Sequence, residues 1–173
     1  SLHSAPNDFA AKVISLLAEA QVHVVANPLI NITLQGRRDT YPKRRGMTRV
    51  DEMMVGGVNV SFGHDCVMDP WYALGSADML EVAQMGLHVG QLTSLEAMDS
   101  CYRAVTLNPA RALGLAQGAE KDGLREGGEA NLVLLHAKDT VEAIRLRASR
   151  RIVMSRGQIL ARSPIAHTKL TLP

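Results

Sequence analysis

The run Val58-Asn59-Val60-Ser61-Phe62 constrains this chain more than any other feature. It is short, alternates polar with β-branched or aromatic residues, and is bounded by glycines, which is the pattern of a strand. In front of it Thr48–Met54 has the makings of a short helix. Thr48 or Arg49 stands near the cap, and Asp51 and Glu52 fall in the first turn, where the helix dipole favours negative charge. Gly56-Gly57 stops that helix, and the strand stops at Gly63-His64-Asp65. Helix, glycine stop, strand and polar terminus together make one unit of a parallel α/β fold.

The same order occurs upstream. Phe9, Val13, Ile14, Leu16 and Leu17 recur at helical spacing between Phe9 and Ala20, with Asp8 placed to cap the helix. Val22-His23-Val24-Val25-Ala26 is short and β-branched, and Asn27-Pro28 ends it, as expected of a buried strand. The polar stretch from Asn31 to Arg49 that follows includes Gln35, Arg37, Arg38, Asp39 and Lys43-Arg44-Arg45. Loops of that length are uncommon in compact domains unless they act, so it is either a functional loop at a strand end or a solvated basic loop.

Downstream, the spacing predicts helices over Ser76–Val89 and Ser94–Thr106, and a short one from Asn108-Pro109 to Leu115. Met79, Leu80, Val82 and Met85 form one face of the first, which reads as core filler more readily than as a ligand surface. The segment Asp122–Glu129 is turn-rich, Ala130–Leu135 reads as a strand and Val141–Arg147 as a helix. Arg151–Met154 and Gln158–Ala161 flank Ser155-Arg156-Gly157 as a β-hairpin. The expected organisation is an α/β body over residues 1–120 and a β-rich segment over 121–173.

Composition limits the function classes. The 173 residues are 46% hydrophobic and 21% charged, which suits a soluble globular protein with one core. Nineteen basic against 17 acidic residues give a net charge of +2 and no field that would recruit nucleic acid. Cys66 and Cys101 form no CxxC pair, so neither a disulfide framework nor a cysteine-rich zinc module is expected, and a cytoplasmic setting fits. No secretory leader pattern and no apolar run near the ~20 residues of a membrane span is present. A chain opening Ser1-Leu2-His3 suits a processed or partial polypeptide.

In parallel α/β architectures the reactive groups collect at the C-terminal ends of strands. Two such ends are readable, Asn27-Pro28 and His64-Asp65, and the second carries titratable groups. A carboxylate after an apolar strand is expected to be partly desolvated, which requires a metal, a cation or hydrogen-bond donors. Asp65 is thus either a metal-binding, proton-handling carboxylate or a cap or arginine partner. His64 is a packed, hydrogen-bonded histidine or a ligand. Trp71, the sole tryptophan, either anchors a core or stacks a flat heterocycle. His23, His88, His136 and His167 fall into no HxH, HExxH or HxxxE pattern.

The segments Asn27–Ile32, Leu34–Arg37, Asp39–Gly46, Phe62–Asp65 and Asp69–Tyr72 closely resemble cytosine deaminases of the amidohydrolase superfamily. Met85–Val89, Asn108–Leu113 and Gly128–Leu135 continue the likeness over nearly the whole chain. The resemblance implies the C-terminal portion of a (β/α)8 TIM-type barrel plus part of a small β-sandwich, with Val22–Asn27 as the seventh barrel strand and Val58–Asp65 as the eighth. It implies one divalent metal ion, iron or zinc, with Asp65 as a metal ligand that also takes and returns protons in hydrolytic deamination. It further implies a small heterocyclic base as substrate, lined by Gln35, Cys66 and Trp71. Cys66 stands where such deaminases often carry a second acidic residue, which leaves the preference among cytosine and related oxopyrimidines or oxopurines open. The family's first-strand HxH pair, its fifth-strand histidine and glutamate and its sixth-strand histidine are absent, and a full barrel takes ~250 residues. The chain is therefore expected to carry only part of an active site and to be inactive alone. The rival expectation is a non-catalytic module that pairs with itself or another chain to cover open sheet edges, a homo-oligomer in the simplest case.

Overall fold

The computed structural model describes residues 2–115, 124 and 126–164. The candidate turn residues Asp122, Gly123 and Arg125, and His167, lie outside the described residues.

Helix α1 (Asn7–Glu19) leads into strand β1 (Val24–Ala26), and the chain returns through α2 (Pro28–Leu34) and α3 (Val50–Val55) to strand β2 (Val60–Phe62). The two strands pair in parallel, with Val24 opposite Val60 and Ala26 opposite Phe62. The ladder extends by one bond at each end, from Val24 N–H to Asn59 O at 3.0 Å and from Gly63 N–H to Ala26 O at 2.9 Å. Both strands therefore finish level with each other, and Asn27 and Gly63-His64-Asp65 emerge at one common rim. The expected α/β unit is present.

Strand β2 is buried on both faces, Ser61 included, so its apparent alternation does not mark a solvated side. That is the pattern of a strand inside a parallel layer. Its second edge is met by helical backbone and side chains: Phe62 N–H donates to Ala104 O at 2.7 Å, and Asn108 Nδ2 donates to Val60 O at 2.7 Å.

Helices α4 (Met79–Gly90), α5 (Leu95–Arg103) and α6 (Leu107–Ala112) follow. Side-chain oxygens start the first two: Asp78 accepts from Leu80 and Glu81 N–H, and Ser94 accepts from Ala97 N–H. Leu80, Val82, Ala83 and Leu87 of α4 are buried with Val60 and Phe62, and Met79 and Met85 pack at the border of that core. The methionine face is core filler, as its spacing implies.

Strands β3 (Leu132–Leu135), β4 (Arg150–Ser155) and β5 (Gln158–Arg162) form an antiparallel sheet in that order. Arg156 and Gly157 turn the β4–β5 hairpin with φ of 48° and 76°, the left-handed pair that suits the twist of a two-residue connection. Helix α7 (Thr140–Leu146) lies between β3 and β4 and packs on α4 and α5. Its Ile144 is buried in the same cluster as Cys101 and Ala104. Thr140 Oγ1 reaches Asp99 Oδ1 at 3.3 Å, and Arg150 grips Asp78 with two nitrogens.

Two local expectations are corrected. The polar stretch after β1 is not loop from Asn31, because α2 occupies its first four residues: Pro28 starts the helix, Leu29 and Ile30 are buried, and Thr33 Oγ1 donates to Leu29 O at 2.8 Å. The remaining loop folds on its own charges, with Arg44 on Asp39 at 2.5 and 2.8 Å, Lys43 on Arg37 O and Arg45 on Ile32 O. Asp8 does not cap α1. The cap position is Pro6, and Asp8 sits inside the first turn, where it acts on the dipole alone. Arg49 stands at the cap of α3, as expected, without a side-chain cap bond, because a guanidinium only donates and cannot accept a helix N–H; it donates instead to Leu2 O, Ala5 O, Asn7 Oδ1 and Glu52 Oε1.

Candidate active site at the strand ends

The common rim of β1 and β2 brings two short polar side chains together across 38 residues of sequence. Asn27 Nδ2 donates to Asp65 Oδ2 at 3.2 Å. Gly63 permits this approach: a Cβ there would lie 2.4 Å from Asn27 Oδ1 and 3.0 Å from Val25 Cγ1. Any other residue would push the Asn27 carboxamide away from Asp65.

Asp65 takes a left-handed backbone angle, φ 65°. Aspartate tolerates this region better than most residues, and such angles gather at functional sites. Its side chain is exposed, which corrects the expectation of partial desolvation. The strand ends at the rim, and the following loop folds back toward His64 and leaves the carboxylate open. Asp65 caps no helix, and among the described residues it pairs with no lysine or arginine. Its second oxygen, Oδ1, faces the Cys66 thiol at 3.7 Å.

Cys66 is half-buried between acidic neighbours. The hydrogen bond to Asp69, partial burial and the negative charges of Asp69 and Asp65 push its pKa up to about 11. The thiol is therefore protonated at neutral pH and acts as a donor. Asp69, held below the ordinary carboxylate range chiefly by that thiol, also accepts the Trp71 and Tyr72 N–H groups at 2.9 Å each. Trp71 is 74% exposed, so it anchors no core in this chain. Gln35 caps the end of α2 and is half-buried, with its Oε1 enclosed and lacking a hydrogen-bond partner among the described residues. No hydrogen bond joins it to Asp65, Cys66 or Trp71. His64 is buried with its Nδ1 2.8 Å from Cys66 O, which is the packed reading rather than the ligand one.

Two members of this cluster were not singled out by sequence reasoning. Asn27 reads there only as the end of a strand, and Asp69 only as the start of the segment Asp69–Tyr72 that carries part of the resemblance. The available signal for Asn27 was its place before Pro28 at the end of a strand parallel to the one that delivers Asp65.

As a metal donor, Asp65 suits one position: it is an exposed, uncompensated carboxylate receiving only a carboxamide and a thiol. Among the described residues no three His, Cys, Asp or Glu side chains converge to hold an ion. One carboxylate does not make a site, so these residues hold no metal without further ligands.

Residues 3–161 match the model of the amidohydrolase family. A pterin deaminase of Rhizobium rhizogenes is 33% identical over 164 residues, covering 94% of this chain and 36% of that protein. Among solved structures, 5-methylcytosine deaminase from Klebsiella pneumoniae liganded with 5-fluorocytosine superposes with a TM-score of 0.90 at 36% identity, over 98% of this chain and 40% of that one. N-isopropylammelide isopropylaminohydrolase from Burkholderia multivorans superposes with a TM-score of 0.75 at 28% identity, over 93% and 37%. The chain thus spans about two fifths of the length of these relatives.

Proposed function

The chain belongs to the amidohydrolase family, and from that premise we propose that the protein carrying it is a hydrolytic deaminase of a nucleobase-like heterocycle, of the cytosine deaminase type. In this reading β1 and β2 are the last strands of a (β/α)8 barrel, and the β3–β5 sheet is part of a small β-sandwich. The observation that carries the proposal is Asp65. It is an exposed carboxylate at the shared C-terminal rim of two parallel strands, aligned by Asn27 and free of any cation that would neutralise it among the described residues.

Hydrolytic deamination attacks an amidine-like ring carbon with water and expels ammonia. Asp65 accepts the proton of the attacking water and returns it to the leaving nitrogen, work for which a carboxylate within hydrogen-bond reach suffices. Asn27 donates to one carboxylate oxygen and the Cys66 thiol faces the other, and together they orient the carboxylate at the rim. Cys66, kept protonated, offers a weak donor beside it. Trp71 presents an exposed ring on which a flat heterocycle stacks. Gln35, at the end of α2, is the remaining residue that the resemblance sets beside the base. A divalent iron or zinc ion, held by Asp65 with ligands from outside this chain, would supply Lewis acidity that makes water nucleophilic at neutral pH.

The names of the relatives support an amino-substituted nitrogen heterocycle and leave pyrimidine and pterin substrates both in play. Ammonia release by the full-length protein from cytosine, 5-methylcytosine and pterin tests the reading. Turnover of one of them, abolished by a chelator and restored by iron or zinc, is the expected result. No turnover of any of the three with either metal would overturn it. The 173-residue chain by itself is expected to release no ammonia.

A further inference from the structure

Resting on the reading of the rim as the active site, we propose that His64 is a positioning residue that locks loop 65–75, and with it Asp65, Cys66 and Trp71, onto the end of β2. Four observations meet on its ring. His64 Nδ1 lies 2.8 Å from Cys66 O, and a carbonyl oxygen only accepts, so Nδ1 carries the proton and donates. The ring is 8% exposed and meets Tyr72 edge-on at 6.3 Å between centroids. Gly75, at the far end of the loop, lies against the Cε1–Nε2 edge of the imidazole. A Cβ there would stand 2.4 Å from His64 Cε1 and 3.0 Å from Nε2, and its φ of 97° also disfavours a side chain. Finally, Nε2 is enclosed with no hydrogen-bond partner among the described residues.

Together these make a closed ring of chain. The loop leaves the strand at His64, donates Met68 N–H to Leu74 O at 2.9 Å, turns on the reciprocal Asp69–Tyr72 backbone pair, and returns through Gly75 to the histidine where it began. Compact loops with adjoining ends are packed by their own side chains, and here the packing element is one imidazole. The Cys66 carbonyl it holds adjoins Asp65, so the left-handed turn that exposes the Asp65 carboxylate is set by this bond. A buried orphan nitrogen costs free energy, and a purely apolar ring would avoid that cost. What phenylalanine cannot supply is the Nδ1 donor to Cys66 O.

The test separates ring from donor in the full-length protein. His64→Phe keeps a ring against Tyr72 and Gly75 and removes the donor. His64→Asn replaces the ring with a carboxamide whose nitrogen sits near the Nδ1 position. Amide exchange of the peptide covering 65–75 should quicken about tenfold in His64→Phe, the factor that one lost hydrogen bond of ~1.4 kcal/mol corresponds to. It should return toward the parent rate in His64→Asn. Turnover should follow, with kcat falling on the order of tenfold to a hundredfold in His64→Phe while KM changes less. Unchanged exchange in His64→Phe, or faster exchange in His64→Asn than in His64→Phe, overturns the lock. Faster exchange with unchanged kcat leaves the lock standing and sinks the assignment of the loop to the active site. If His64→Phe does not fold, Gly75→Ala, which presses on the same ring, should give the same exchange signature. Normal exchange there would equally refute the proposal.

Discussion

Replacing Asp78 by alanine should remove two supports at once. Its Oδ1 caps α4 by accepting Leu80 N–H at 2.8 Å and Glu81 N–H at 3.4 Å. The same carboxylate receives Arg150 Nη1 at 2.6 Å and Arg150 Nη2, tying β4 to the helical body. Loss of the cap costs ~1 kcal/mol. The ion pair is 24% exposed on Asp78 and 34% on Arg150. It therefore falls between an exposed pair and a broken buried one, about 1–2 kcal/mol. Asp78→Ala should lose roughly 2–3 kcal/mol by these two terms, whereas Asp78→Asn keeps an equally good cap and should lose roughly 1–2. Urea titration of the full-length protein reads both as shifts of the midpoint. The pH dependence has a definite sign. Arg150 holds the Asp78 carboxyl below its ordinary range in the folded state. Its contribution is fully present above the unfolded value near ~3.9 and is lost as pH falls through the lower folded value. Asp78→Asn should lack that share of acid destabilisation. Equal losses in the two variants, or both within ~0.5 kcal/mol of the parent, would refute the reasoning.

Two further outcomes concern the rim. Trp71→Ala should change stability by less than ~0.5 kcal/mol because the ring is exposed, yet raise KM on the order of tenfold if it stacks the substrate; an unfolded product would return Trp71 to the core. Cys66, with its pKa pushed up to about 11, should alkylate near neutral pH roughly tenfold slower than an ordinary thiol, the smaller thiolate fraction outweighing its higher nucleophilicity, and Asp69→Asn should speed it. Labelling at full speed in the parent would contradict the thiol's placement between carboxylates.

Much of this framework is legible in the sequence because periodicity is local. The apolar spacing of α1, α4 and α5, the glycine-stopped strand before His64-Asp65 and the β4–β5 hairpin each follow from a dozen neighbouring residues. Asn27-Pro28 shows where that logic fails. It reads as a strand stop, and the same proline at the first helical position starts α2, so a helix is hidden within an apparent loop. The pairings that build the site and join its parts are long-range: Asn27 to Asp65 over 38 residues and Asp78 to Arg150 over 72. No spacing rule reaches that far. Burial is equally non-local. Asp65 lies open at the rim while its neighbour His64 is enclosed, because the loop after the strand closes on the imidazole and leaves the carboxylate free.

The proton-handling role of Asp65 is tested most directly by Asp65→Asn, which preserves size and the potential contact with Asn27 but cannot act as a base. In the full-length protein, on whichever base it deaminates, ammonia release should fall by roughly 10²–10⁴-fold with the urea midpoint unchanged, since the side chain is exposed and pairs with no cation among the described residues. Ammonia release continuing near the parent rate would contradict the account.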